Sequence, residues 1–208
     1  MIDVLKATPI LFSTPMVQTI LNGKKKQTRR VINPQPRCEL RLHYGTWNEY
    51  QEGIDRATGS NWGYGYKCPY GKPGDILWVR ETWGIGIAMS GGIVYRADYK
   101  NNRPPLADGE KWKPSIHMPK DIARIYLRVT DVRAERLQSI TEEDALKEGF
   151  KPGYEVTGNG KFEDVLEREW TAVDEFRELW QELNLKRGYG WDKNPWVWVV
   201  EFERVEKE

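Results

Sequence analysis

Residues 122–137, IARIYLRVTDVRAERL, constrain the fold more than any other stretch: Ile125, Leu127 and Val129 alternate with Arg124, Tyr126 and Arg128. A period of two is the mark of a strand with one face toward a core and the other toward water. WVWVVEFERV (196–205), residues 5–12 and GGIVYRADY (91–99) read as further strands. GKPGDILWVRETW (71–83) reads as a tight turn entering a strand whose apolar content is Ile76, Leu77 and Val79. Helices are fewer and well punctuated. Over residues 15–22, Thr14 suits the N-cap, Pro15 the first turn and Gly23 a left-handed stop, with Val17, Ile20 and Leu21 on one face. In TEEDALKEG, Thr141 and Asp144 form a capping-box-like start, Ile140 can staple onto Ala145, and Gly149 ends the helix. Between residues 163 and 184 the stripe Leu166, Val173, Phe176, Leu179, Trp180 and Leu183 predicts a third, core-packed helix.

The stretches between are of another kind. Residues 33–73 and KNNRPPLADGEKWKPSIHMPKD are rich in glycine, proline and aromatics and carry no helical period. The first is expected to be a long excursion with at most a short hairpin, and residues 150–161 a glycine-containing loop. No internal repeat and no clean linker divides the chain, so a single mixed domain is expected over 1–208. Ten tryptophans and ten tyrosines suit a strand-rich packed barrel, and equally a surface that stacks a planar base.

A net charge of +1 gives no general attraction to polyanions, so any nucleic-acid affinity must come from a local cluster. No stretch approaches the roughly 20 apolar residues of a membrane span. MIDVLKATPILF lacks the order of a signal peptide, and a cytoplasmic location is expected. There Cys38 and Cys68 would be free thiols. Zinc is the alternative, with His43 and His117 completing a Cys₂His₂ set, but the spacing matches no compact finger. His117 alone reads as a surface or structural histidine.

The local cluster is Gly23-Lys24-Lys25-Lys26-Gln27-Thr28-Arg29-Arg30. It supports three readings. Most charge runs are solvated turns. Arg29 and Arg30 also have the forked donors that clamp phosphate, with Lys24 and Lys26 adding point charge. Finally, a lysine crowded by like charges and partly desolvated is biased toward its neutral form, and a neutral Lys25 can take the proton of the Thr28 hydroxyl as it attacks a carbonyl. Two carboxylates are candidates beside these. Glu148 falls in the last turn of its helix, the end whose dipole disfavours negative charge, so it is either a tolerated surface residue or one held to pair with a cation. Glu81, at a strand end, is a salt-bridge partner or a site residue. Trp47, Trp62, Tyr64 and Tyr66 either pack their loop down or cover a binding surface.

The basic segment, GKPGDILWVRE, TEEDALKEG and the WVVEFERV strand together resemble the ASCH-domain family, most of all its longer phage- and prophage-type members with their PILFSTPMV opening and W-x-PSI-x-MP element. The resemblance implies an α+β fold: a PUA-like small mixed β-barrel with flanking helices and long loop insertions at about 33–70, 98–120 and 150–190. It implies two functions, RNA binding by analogy with PUA domains, and hydrolysis of the amide of N4-acetylcytidine by a Lys, a Thr and a Glu. Matched residue by residue, G-K-K-K-Q-T makes Lys25 the lysine and Thr28 the threonine, and E-D-A-L-K-E-G makes Glu148 the glutamate. Lys24 stands for the usual Arg of that segment and Lys26 for its first Thr. The partner so implied is a modified nucleoside or base, or RNA, with no cofactor and no metal.

Overall fold

The computed structural model describes residues 6–43, 46–50, 62–87, 92–99, 106–157 and 166–206. In chain order its elements begin with β1 (Thr8–Leu11), α1 (Thr14–Leu21), β2 (Gln27–Val31), β3 (Glu39–His43), β4 (Thr46–Tyr50), β5 (Trp62–Tyr66), β6 (Ile76–Arg80), β7 (Trp83–Ile85) and β8 (Ile93–Tyr95). They continue with β9 (Tyr126–Arg136), α2 (Glu142–Lys147), β10 (Gly153–Thr157), β11 (Leu166–Trp170), α3 (Ala172–Asn184) and β12 (Trp196–Val205). The fold is mixed α+β, with strands predominating. Its largest sheet has the order β1-β6-β9-β12-β2, and among the described residues no sheet closes into a barrel. Nor, among them, is any helix long and apolar enough to cross a membrane.

The chain divides into two compact units, neither contiguous in sequence: 1–26, 69–132 and 201–208 form one, 27–68 and 133–200 the other. Strands β9 and β12 supply residues to both.

In the first unit β1 lies parallel to β6, Ile10 opposite Val79, and β6 lies antiparallel to β9, Leu77 opposite Leu127. Ile76, Leu77, Trp78 and Val79 are all buried, so this part of the sheet is covered on both faces. That corrects the expectation of a wet face for β9. Tyr126 is only 1% exposed and packs with Ala7, Ile76, Trp78, Met118 and Ala123. The one-sided alternation was right for Arg128 and failed at Tyr126, where the ring has apolar cover. Helix α1 starts one residue earlier than expected, with Ser13 rather than Thr14 as N-cap and no side-chain bond to it. Val17 and Ile20 are buried, and Gly23 takes φ +70° as the stop. The strand expected over 91–99 is shorter: β8 pairs antiparallel with β7 and gives way to a 3-10 turn at Arg96–Asp98. The Pro-rich stretch after it carries 3-10 turns at Ser115–His117 and Lys120–Ile122 and seats Met118 in the core; residues 100–105 lie outside the described residues.

In the second unit, residues 33–68 hold more order than their composition suggests. Strands β3, β4 and β5 form an antiparallel three-stranded sheet, and Trp47 of β4 meets Trp198 of β12 edge to face at 6.4 Å. Residues 44–45 and 51–61 of that excursion lie outside the described residues. A second correction concerns 150–170. The expected loop contains β10, which pairs antiparallel with β11, and Leu166 belongs to β11 rather than to a helix. The helix itself, α3, begins after Thr171, whose capping box with Asp174 is formed in both directions. Ala172, Phe176 and Trp180 form its buried face at intervals of four residues. Leu183, counted into the stripe, is exposed. Phe176 is the hub of this core: it meets Phe150, Trp180 and Trp191 at 5.6, 5.8 and 6.3 Å, over a floor of Leu137, Ile140, Ala145, Val197 and Val199. Against that floor sits α2, six residues started by the expected capping box of Thr141 and Asp144, with Ile140 and Ala145 in one cluster and Gly149 at φ +96°.

Candidate functional site

Helix α1 and the start of β2 sort the basic run by burial. The carbonyl of Thr19 accepts both the Lys24 and the Lys25 N–H, at 2.9 and 3.1 Å, and the Lys26 carbonyl accepts the N–H of Phe202 at 2.8 Å. Lys24 and Lys26 point to solvent, while Lys25 is 2% exposed. Its Nζ lies 5.9 Å from the centre of the Phe12 ring, which packs edge-on against Phe202. An ammonium placed against aromatic faces keeps some cation–π attraction but loses most of its hydration. The bland reading of this run as a uniformly solvated turn therefore fails for its middle lysine.

From Gln27 the chain is strand, and Gln27, Thr28 and Arg29 are all buried. Alternation gives Gln27 and Arg29 one face of β2 and Thr28 the other. Arg29, whose side chain is fully buried, does not face solvent phosphate. It donates to Asp144 Oδ2 at 2.9 Å and to Glu135 Oε2 at 3.4 Å, and its Nη1 lies 3.5 Å from Glu148 Oε1. The Phe176 ring lies 5.9 Å from its guanidinium carbon. Arg133 closes the cluster, donating to Asp144 Oδ1 at 3.1 Å and to Glu135. Two guanidiniums thus face three carboxylates, all within the second unit.

Asp144 and Glu148 stand one helical turn apart on α2 and point at the same guanidinium. Burial pulls the Asp144 carboxyl upward, but the charge of Arg29, the Thr141 N–H and the Arg29 hydrogen bond outweigh it and hold the group below its ordinary 3.8. Glu148, at the C-cap of α2, does not face bulk water; it is 5% exposed. The unfavourable helix end is thereby accounted for, with Arg29 as the cation.

Glu81 is held elsewhere, in the first unit. It is 1% exposed and takes a forked pair of hydrogen bonds from Arg124, at 2.8 and 2.9 Å. Arg124 also reaches Asp98 at 2.8 Å and lies 3.9 Å from the centre of the Tyr95 ring, whose hydroxyl donates to the Ile122 carbonyl. Burial pulls Arg124 down, but its hydrogen bonds and charge contacts with Glu81 and Asp98 prevail and raise its pKa. This is the salt-bridge reading of Glu81. Arg30 is half-buried and Tyr66 buried; the side chains of Trp62, Tyr64 and His43 lie outside the described residues. Cys38 and Cys68 are half-buried and outside any disulfide, and among the described residues no group of three His, Cys, Asp or Glu is arranged to hold a metal.

Arg133, Glu135 and Asp144 are the residues of this cluster that sequence reasoning missed as ion partners. Arg133 and Glu135 are two apart on β9, hence on one face, and Asp144 is four before Glu148; those spacings were the available signal. Chemically, the chain offers a buried amine, a buried alcohol and a buried carboxylate held by a guanidinium. No protein-family model, curated protein or solved structure matches this chain.

Proposed function

We propose that this chain is an ASCH-type, PUA-like amidohydrolase that removes the acyl group from N4-acylated cytosine or cytidine. The observation that carries the reading is the burial of all three residues singled out by resemblance: Lys25 at 2%, Thr28 at 3% and Glu148 at 5% exposed. Withdrawing an amine and a carboxylate from water is costly, and such groups mark functional sites more often than surface charges do. The mixed sheet, with its parallel β1–β6 pair, is compatible with the PUA-like barrel and its insertions. A cytoplasmic location, the host's if the chain is phage-encoded, belongs to the same proposal.

In this reading Lys25 is neutral and accepts the Thr28 proton as the threonine oxygen bonds to the amide carbon. Collapse of the tetrahedral intermediate breaks the C–N4 bond, and the proton on Lys25 passes to the departing N4. Water then hydrolyses the threonine ester. A variant in which Thr28 only positions the attacking water uses the same residues. The resemblance gives Glu148 the role of orienting Lys25 and passing protons. Backbone N–H groups near residues 27–30 would hold the oxyanion.

The test is turnover of a panel of N4-acylated cytosines and cytidines, with Lys25→Ala and Thr28→Ala checked for folding by circular dichroism. Loss of turnover in both is expected; full activity in either removes the mechanism. Exposed Lys24 and Lys26 favour one rival, a non-catalytic RNA- or nucleotide-binding module that also uses Arg30. Salt separates the two, since binding through phosphates weakens steeply with ionic strength while hydrolysis of a neutral nucleoside does not.

A further inference from the structure

Strand β2 carries buried donors that nothing in its own unit accepts from. Gln27 is 0% exposed and the Arg29 side chain is fully buried, yet Gln27 Nε2 and Arg29 Nε and Nη1 make no hydrogen bond among the described residues. Such groups are rare in folded chains, because each has given up its bonds to water for nothing in return. The two residues are two apart on one strand, hence on one face. The amide is also oriented. Arg133 can only donate, and its Nη2 reaches Gln27 Oε1 at 3.5 Å, so Nε2 is turned away from it. Asp144 is within electrostatic reach of that amide but outside hydrogen-bond geometry, and its oxygens already accept from Arg29, Arg133 and the Thr141 N–H.

The charge and the donors select the occupant. Two guanidiniums against three carboxylates leave no positive excess for a phosphate. Unmet donors offer nothing to a cation. They fit a neutral oxygen acceptor, and a carbonyl oxygen has two lone pairs to take them. The alternation of β2 gives Thr28 the opposite face, so this acceptor is not the carbonyl that the threonine would attack but one farther along the ligand.

We propose that Gln27 and Arg29 form a binding site for a ring carbonyl, and that its ligand is the C2 oxygen of the pyrimidine. The site would then select acylated cytosine over acylated adenine, which has no ring carbonyl. The identity of the ligand rests on the amidohydrolase reading; the carbonyl site does not.

The experiment titrates cytosine and 4-aminopyrimidine, the same ring without the C2 oxygen, into the wild type and into Gln27→Met by calorimetry, with folding checked by circular dichroism. The wild type should bind cytosine about 10- to 100-fold more tightly, the worth of a charge-assisted hydrogen bond. Gln27→Met keeps the length and loses the donor, so the preference should shrink several-fold. A crystal of the wild type with cytosine should place the C2 oxygen within hydrogen-bond length of Gln27 Nε2 and Arg29 Nε. Equal affinities of the wild type for the two bases, or binding of neither, overturn the site without any variant. So do an unchanged preference in Gln27→Met, a crystal in which the Gln27 amide bonds Asp144, and one in which water holds these donors while cytosine is bound. Turnover of N4-acetylcytosine is measured alongside. Preference for cytosine without turnover keeps the carbonyl site and removes the hydrolase reading; turnover without preference does the reverse.

Discussion

Replacing Arg124 with methionine keeps most of the side-chain volume and strands the Glu81 carboxylate, which is 1% exposed and loses both arms of its fork. Removing one partner of a buried ion pair costs about 3–5 kcal/mol. One fact brings this case toward the low end. Arg124 is 27% exposed, so water reaches the carboxylate from that side. A loss of about 3–4 kcal/mol follows, equivalent to about 6–16 °C in Tm for a chain of this size. Urea unfolding at pH 7, followed by circular dichroism and tryptophan fluorescence, measures it. Arg128→Met is the control, since Arg128 and Glu203 are 47% and 55% exposed and such pairs contribute about 0–1 kcal/mol. A deficit for Arg124→Met no larger than the control's refutes the account of Glu81 as a carboxylate held by its partner.

Two further outcomes are expected. The Asp144 carboxyl is held below 3.8 in the folded chain, so its contribution to stability is full above that pH and is lost as pH falls through the folded value; an acid titration of unfolding free energy should show this limb in the wild type and lack it in Asp144→Asn. A Cβ on Gly84 would sit 2.5 Å from Leu106 Cδ2 and 3.4 Å from the Trp112 ring, so Leu106 must turn off its rotamer and Gly84→Ala should cost about 0.5–1.5 kcal/mol in chemical unfolding. Gly92, with nothing within 4 Å of the same atom, is the comparison, and equal stabilities for the two alanine variants would count against the packing at Gly84.

What could be read from the residues depended on how local the cause was. The Thr141–Asp144 capping box, the left-handed stops at Gly23 and Gly149 and the strands at 126–136 and 196–205 are set by neighbours in sequence, and they stand where expected. Leu166 was misread because an apolar residue can match a helical period and still belong to a strand; only its pairing with Thr157 across β10 and β11 decides. Strand β5, W-G-Y-G-Y, was hidden by its glycines, which weaken strand propensity and resemble loop composition. Arg29, read as a phosphate clamp, was the largest misreading. A run of five cations reads as surface until β2 turns Arg29 inward, and nothing near residue 29 announces carboxylates 106, 115 and 119 positions away. Lys25 was legible as a candidate but not as buried, because its cover includes Phe12, thirteen residues earlier.

Strand β12 has a bearing on how the chain is made as well as how it is held. Its residues 196–200 complete one unit and 201–205 the other, so a growing polypeptide emerging from the ribosome cannot finish either until that strand is released. Leu137, Ile140, Ala145, Phe176 and Trp180 must wait, partly uncovered, for Val197 and Val199. Synthesis that stalls before Trp196 should therefore yield a product handled by chaperones and proteases rather than a half-sized folded body.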